Sequence, residues 1–376
     1  SNYQYSTYIK EVVPQLRVNK TCCTFFKNIP GTNCNYRCLV VTGLENTVRF
    51  LCKEDISLNI ICVGGGGGGG KYCVSKVDYG YPLCYGGGGG AGGNTCIAKN
   101  ITSKRDTLYE INIGSGGGGG GGGGSTYFFT KQSGVLLQAG GGGCGISGCD
   151  YGNGVYGTAN PGGSCGSNIS TISSGIYNIS GGSGGYGSYV VNIGIDESGA
   201  QYTAWNCAMD GDSTSSNITD FLPNFQDIIN YFDVSSNNFP MIINGVKCPN
   251  IIQNTYGGGG GGGGGYVNFG SYGIQYWGYN GLPGNNGKGG EGAYYYIYNP
   301  QNKTSTIYGC QNSQIPNSYS IGSGGGGMGQ YGNPACGGQG LVIIYWEISK
   351  TNQEERENQI KENVENIVET TVETTQ

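Results

Sequence analysis

Histidine is absent from this chain, and charge is scarce: Asp, Glu, Lys and Arg make up 11% of its 376 residues, against about 25% in typical domains. Without an imidazole base, the Ser- and Cys-type triads that depend on one are excluded. The sparse carboxylates show no paired motif for glycoside hydrolysis. No G-x-x-x-x-G-K-[ST] phosphate loop occurs, since Lys71 after Gly70 is followed by Tyr72. No apolar run approaches the ~20 residues of a membrane span, so membrane insertion is not expected. Seven of the 24 acidic and two of the 19 basic residues lie in 351–376, which leaves residues 1–350 balanced at 17 of each. A neutral body lacks the basic footprint that tracks a phosphate backbone, so nucleic acid is not an expected partner. The 30 Tyr, without basic residues among them, do not make a single-strand stacking groove. The expectation is a protein that is not an enzyme and has no cofactor.

Glycine is what the chain has instead: 79 residues, about three times the usual ~7%. With only 11 Pro and no G-X-Y register, collagen is excluded. Unstructured low complexity is the plain alternative, but 36% hydrophobic residues do not fit disorder driven by charge and polarity. The stretch from Tyr109 to Gly143 displays the grammar. Tyr109, Ile111 and Ile113 alternate with Glu110 and Asn112, the period-2 mark of a half-buried strand. Gly116–Gly124 follows, then the β-formers Thr126 to Thr130 and Val135 to Leu137, then Gly140–Gly143. Further runs lie at Gly64–Gly70, Gly86–Gly90, Gly257–Gly265 and Gly324–Gly327, with clusters at Gly181–Gly185 and Gly337–Gly340. Because the runs are tied to apolar, β-prone residues rather than to a Gly/Ser linker, we read them as structure.

An α-helix of glycine costs about 1 kcal/mol per residue relative to Ala, and a glycine strand has no side chains to pack. The extended three-residue helix of the polyproline II type suits glycine, because such helices can touch and exchange backbone hydrogen bonds. Nine residues at about 3.1 Å would span roughly 28 Å, the length of an eight- or nine-residue strand. The fold class expected is mostly β: antiparallel, sandwich-like sheets framing a bundle of packed polyglycine (polyproline II-type) helices, with one short α-helix near 219–232. The runs 64–70, 116–124 and 257–265 are expected in one bundle, against a sheet containing Ile56–Val63 and the continuous apolar run Leu341–Trp346. The helix expectation rests on Phe221, Phe225, Ile228, Ile229 and Phe232 at helical spacing, with Pro223 in the first turn. It is read as a cap on a core edge, with a partner-binding helix as the alternative.

Three regions are expected: 1–35, an N-terminal Cys-containing segment; 36–348, the glycine-rich β domain; and 349–376, an acidic tail. In the tail Ile360, Val364 and Ile367 give under two heptads, so it is read as disordered or as a short assembly helix.

The strand entering glycine (ISLNIICVGGGGGGG), the middle unit (YEINIGSGGGG, TYFF, VLLQAGGGG) and the exit (GGQGLVIIYW) resemble the glycine-rich domain of tail-fibre and virion-surface proteins of phages and large DNA viruses. The resemblance covers roughly residues 36–347. The architecture is also similar to the glycine-rich extracellular region of the anaplastic lymphoma kinase receptor family. Both resemblances imply packed polyglycine helices framed by strands. They leave function open, because a fold does not fix it. The 16 cysteines depart from the phage pattern.

Those cysteines bracket glycine runs: Cys62 and Cys73, Cys84 and Cys96, Cys310 and Cys336, with Cys144 and Cys149 after Gly143. Together with Cys22, Cys23, Cys34, Cys38, Cys52, Cys165, Cys207 and Cys248 they are disulfide candidates. A crosslink beside glycine restrains an unusually entropic unfolded chain, typically by ~2–4 kcal/mol. Zinc is the rival reading. With no C-x-x-C pair, Cys34-x3-Cys38 behind Cys22-Cys23 is the one arrangement that suggests it, and no metal site is assigned. Connectivity does not follow from sequence. Asn19, Asn100, Asn168, Asn178, Asn217 and Asn302 head N-x-[ST] triplets and are candidate glycosylation sites. Tyr272, Tyr276, Trp277 and Tyr279, in SYGIQYWGYN, are candidate contact residues, since Tyr and Trp offer large areas with a polar tip; core packing is the alternative. The functional expectation is a rigid, disulfide-stapled structural or adhesive protein of a virion surface or fibre. Its partners would be other virion or fibre subunits and a host-surface protein or glycan. The alternative is an extracellular ligand-binding module of a secreted or cell-surface protein.

Overall fold

In a computed structural model of the chain, the described residues are 9–11, 25–42, 47–52, 55–71, 73–76, 82–147, 165–167, 175–187, 189–195, 201–206, 208–232, 242–243, 246–247, 251–260, 262–263, 266–269, 274–278, 281–285, 287, 289–290, 295–299, 304–308, 321–329 and 336–348. The acidic tail expected at 349–376 lies outside them.

The described chain is mostly β. In order, its strands are β1 (Ile9–Glu11), β2 (Phe25–Pro30), β3 (Asn35–Val41), β4 (Val48–Cys52), β5 (Ile56–Val63), β6 (Cys73–Lys76), β7 (Pro82–Tyr85), β8 (Thr95–Ser103), β9 (Leu108–Asn112), β10 (Thr126–Thr130) and β11 (Gly134–Ala139). There follow β12 (Cys165–Ser167), β13 (Gly175–Ile179), β14 (Tyr189–Ile195), β15 (Gln201–Asn206), β16 (Ile242–Ile243), β17 (Val246–Lys247), β18 (Tyr266–Phe269), β19 (Ile274–Gly278), β20 (Tyr295–Asn299), β21 (Thr304–Tyr308) and β22 (Leu341–Ile348). One α-helix, α1 (Phe225–Tyr231), is described. All described pairings are antiparallel.

Two six-stranded sheets form a sandwich. The first has the order β1-β4-β9-β10-β11-β12 and the second β13-β8-β5-β22-β3-β2. The expected partnership of Ile56–Val63 with the C-terminal apolar run is observed: Leu341 pairs with Val63 and Tyr345 with Asn59. β22 is central and covered on both faces, which is why its sequence is continuously apolar rather than alternating. Val342, Ile344 and Trp346 enter the core between the sheets, while Leu341, Ile343 and Tyr345 enter a second core on the opposite face. In β10, between the facing sheet and a more open side, Thr126, Phe128 and Thr130 are buried while Tyr127 and Phe129 are half-buried. There Phe128 stacks on Tyr109, with ring centroids 4.9 Å apart.

The second core is roofed by the helical segment, which is shorter than the 219–232 span expected. A 3-10 turn at Ile218–Asp220 comes first, and α1 starts only at Phe225. Pro223 separates them: in a continuous helix its ring would clash with the carbonyl four residues back, and it brings no N–H. Phe225, Ile228 and Phe232 are buried as their spacing predicts. α1 packs against the edge strand β2, and from there Phe225 and Asn224 reach inward to Tyr345 of β22.

Residues 1–35 are not wholly set apart from the body. Phe25–Pro30 pairs along its full length with β3, and Ile9–Glu11 pairs with β4. A third sheet, β21-β20-β19-β18-β7-β6, is joined to the sandwich by glycine. Gly64–Gly70 leads from β5 towards β6, and Gly86–Gly93 returns from β7 to β8.

Candidate functional site

The feature that distinguishes the molecule is the hydrogen-bonded layer of glycine between the sandwich and the third sheet. Gly64–Gly70 is buried throughout and lies at its centre. Its N–H groups address three neighbours in rotation. Gly64, Gly67 and Gly70 donate to the carbonyls of Asn94, Ala91 and Gly88, at 2.8–2.9 Å. Gly65 and Gly68 donate to Gly124 and Gly121, and Gly66 donates to Gly338. Its carbonyls address three more: Gly65 and Gly68 accept from Gly142 and Gly145, Gly66 and Gly69 from Gly117 and Gly120, and Gly67 and Gly70 from Gly325 and Met328. Five of these neighbours recur at every third residue and Gly338 is met once, so one run touches six segments. Gly86–Gly93 repeats the pattern: Gly87, Gly90 and Gly93 donate to Met328, Gly325 and Gly322, and Gly88 and Ala91 donate to Ile146 and Gly143. It also accepts from the third long run, through Gly260 N to Gly90 O and Gly263 N to Gly87 O. The described parts of 64–70, 116–124 and 257–265 thus share one hydrogen-bonded layer.

The close approach explains the composition. A Cβ on Gly67 would stand 1.9 Å from the Gly143 oxygen, and one on Gly68 the same distance from the Gly118 oxygen. No side chain fits there without displacing a backbone. Where the sequence admits a side chain, it does so three residues apart, as at Ala91 and Asn94 or Ser183 and Tyr186.

One expectation about length is corrected. Gly116–Gly124 is not a single ~28 Å rod but a hairpin. It turns at Gly119–Gly120, with Gly120 at φ +77°, and is closed by Gly121 N–Gly118 O (2.7 Å) and Gly124 N–Ser115 O (2.8 Å). The reason is topological. β9 and β10 are antiparallel neighbours, so the connection must come back to the end it left.

The layer does not hold itself together. Fixing a backbone residue costs about 1–2 kcal/mol, and a net hydrogen bond contributes about 0.5–1.5 kcal/mol. Anchoring at the ends comes from the sandwich and from isolated polar side chains. The Thr126 hydroxyl donates to the Val63 carbonyl at 2.6 Å and accepts from Gly114 N at 3.0 Å. It thereby ties together the exits of β5 and β9. Gln339 Nε2 donates to the Thr42 carbonyl at 2.7 Å, and Asn94 Oδ1 accepts from Gly181 N at 3.1 Å. On the roofed face, Asp227 accepts from both the N–H and the hydroxyl of Thr32, at 3.0 and 2.7 Å. The Tyr345 hydroxyl donates to Asn224 Oδ1 at 2.7 Å. These partners are far apart in sequence, and a lone Thr or Asp carries no signal of such a role.

The cysteines divide. Cys34, Cys38, Cys52, Cys62, Cys144 and Cys336 are free thiols, which corrects their expected crosslinking. Cys38, Cys52 and Cys62 are fully buried and serve as small apolar core residues. Burial pushes the Cys52 thiol up to about 11, against a hydrogen bond to Ser103 that lowers it, and pushes Cys38 and Cys62 higher still. Burial also raises Cys34. These thiols are tuned away from reactivity. Cys96 is disulfide-bonded. Cys73, Cys84 and Cys165 lie on β6, β7 and β12, whereas Cys22, Cys23, Cys149, Cys207, Cys248 and Cys310 are outside the described residues.

Of the contact candidates, Tyr276 and Trp277 lie on β19, paired with Ile297 and Tyr296 of β20; Tyr272 and Tyr279 are outside the described residues. Asn100, Asn178 and Asn217 are exposed, and Asn19, Asn168 and Asn302 are outside the described residues. Among the described residues no cluster of His, Cys, Asp or Glu could hold a metal ion, and no helix is long and apolar enough to cross a membrane. No protein-family model and no curated protein matches this chain.

Proposed function

We propose that this chain is a non-enzymatic structural and adhesive protein of a virion surface or fibre, with its glycine runs packed as polyproline II-type helices. The observation that carries the reading is the three-residue hydrogen-bond rotation of Gly64–Gly70 among six neighbours. A three-residue turn is the geometry of that helix. A block crosslinked through its backbone in several directions has no hinge, and suits a spacer that must hold a contact surface at a fixed distance. The third sheet, at the far end of the glycine layer from the sandwich, carries Tyr276 and Trp277 on β19. Under this reading that sheet faces a host-surface protein or glycan, and the sandwich side meets other virion or fibre subunits.

The test is to probe gradient-purified virus particles with an antibody against the chain. Co-sedimentation with intact particles, and labelling on their outside, is expected. Recovery only as a soluble complex with a secreted ligand would overturn it in favour of an extracellular ligand-binding module. For the contact surface, Tyr276→Ala with Trp277→Ala should weaken attachment to host cells while the melting temperature holds. Unchanged attachment, or loss of folding, would remove these residues from the role.

A further inference from the structure

Cys96 sits on β8, fully buried, facing the first sheet across the sandwich core. Its sulfur lies 3.3 Å from the Gln138 carbonyl oxygen of β11 in that sheet. It is disulfide-bonded, and its partner is none of the six free thiols. That excludes Cys62, its own Cα partner on β5. Three of the remaining cysteines lie on described strands. Cys73 and Cys84 belong to the third sheet, across the glycine layer from β8. Cys165 belongs to β12, the edge strand next to β11, where its register partner is Ala139.

That register is informative. Residues directly opposite in an antiparallel ladder lie on the same face of the sheet. Ala139 is buried in the core between the two sheets, the core that also holds Cys96, and β11 packs across it on β8. The register position of Cys165 is therefore on the face turned towards β8, one strand beyond Gln138. The described residues flanking the other cysteines lie elsewhere. Ile146, before Cys149, is bonded to Gly88, towards the third sheet, and Ala208, after Cys207, precedes Met209, which bonds to Tyr186. Ile251, after Cys248, is in the core on the opposite face of the second sheet. Cys310 follows β21 of the third sheet, and Cys22 and Cys23 precede β2, at the edge of the second sheet opposite β13 and β8.

We propose that Cys96 and Cys165 form the disulfide, a covalent strut joining β8 of one sheet to the edge strand β12 of the other. In forming it, two thiols lose two protons and two electrons to a disulfide oxidant, which is reduced to two thiols if it is a small molecule or to a dithiol if it is an enzyme disulfide. The strut has a clear structural purpose. β12 is three residues long and, among the described residues, pairs only with β11 and forms the edge of its sheet, so its ladder alone gives it little hold.

The test is peptide mapping of the full-length protein, denatured without reductant, capped with an alkylating agent and cut with trypsin and chymotrypsin. Cleavage after Tyr85 and Lys99 isolates Cys96 in fragment 86–99, and cleavage after Tyr156 and Tyr177 isolates Cys165 in 157–177. Enzymatic deglycosylation beforehand removes any glycan at Asn168. The expected product is these two fragments joined, and separated by reductant. In Cys165→Ser, Cys96 should become alkylated without reductant. Cys96 joined to any other cysteine, including Cys62, or alkylated in the wild-type protein, would overturn the assignment. Presence or absence in virus particles has no bearing on this result.

Discussion

Gly68→Ala and Gly118→Ala are the same chemical change made on two sides of one contact, and they should differ sharply. A Cβ on Gly68 would lie 1.9 Å from the Gly118 oxygen and 2.9 Å from the Gly117 oxygen, whereas a Cβ on Gly118 meets nothing within 4 Å. To clear the contact, the hairpin leg must retreat by more than an ångström, beyond hydrogen-bond reach of the central run. The bonds at risk are Gly117 N–Gly66 O (2.8 Å) and Gly120 N–Gly69 O (2.9 Å). Leaving buried groups unpaired costs about 1–3 kcal/mol each, so Gly68→Ala should destabilise by about 2–6 kcal/mol. At roughly 2 °C per kcal/mol for a chain of this size, that is a fall of about 4–12 °C in melting temperature. Gly118→Ala should be neutral, or stabilising by about 0.4–1 kcal/mol through the unfolded chain. Differential scanning calorimetry on the two variants decides it. Equal melting temperatures for both would refute the close-packed layer as the reason for glycine.

In hydrogen exchange, the amides of Gly65–Gly68 should exchange as slowly as those of β5. Rapid exchange across that run would mean the hydrogen bonds of the layer do not persist in solution. Arg49→Met removes the Nε partner, at 2.6 Å, of a Glu110 side chain that is only 5% exposed. Because Arg49 is itself 41% exposed, the expected loss in urea denaturation is only about 1–2 kcal/mol. Alkaline titration should reveal the buried acids. Burial raises Cys52 to about 11 and Tyr109 to about 12. Their folded forms hold the proton more tightly than the unfolded chain, so the associated stability is complete below pH 9 and is lost as pH rises through 11–12. A melting temperature unchanged from pH 9 to 12 would contradict that burial.

The strand grammar was legible because strands advertise themselves by side chain: period 2 at Tyr109–Ile113, and an unbroken apolar run at Leu341–Trp346 once both faces are covered. Glycine has no side chain with which to mark a turn, so the hairpin inside Gly116–Gly124 was invisible in the homopolymer. It follows from the pairing of the strands on either side, which is a tertiary fact. The three-residue spacing of Ala91 with Asn94, and of Ser183 with Tyr186, was a readable sign of the repeat. Cys38 and Cys62 could have been read as core residues too, since Cys38 opens the apolar run Leu39–Val41 and Cys62 lies between Ile61 and Val63. The hold of Thr126 on two strand ends, and of Asp227 on Thr32, depends on residues brought together only by the fold.

β22 fills the middle of the second sheet between β5 and β3, and it is the last described strand of the chain. During synthesis, then, strands made near the beginning wait with their central partner missing until residue 348 has left the ribosome. Gly64–Gly70 waits as well, because two of its six neighbours come from 322–328 and 337–340. The nascent chain cannot secure residues 35–70 before residues 325–348 are made. A ribosome stalled before Leu341 carries a chain with an unfilled sheet and an unpaired glycine backbone, open to chaperones and proteases.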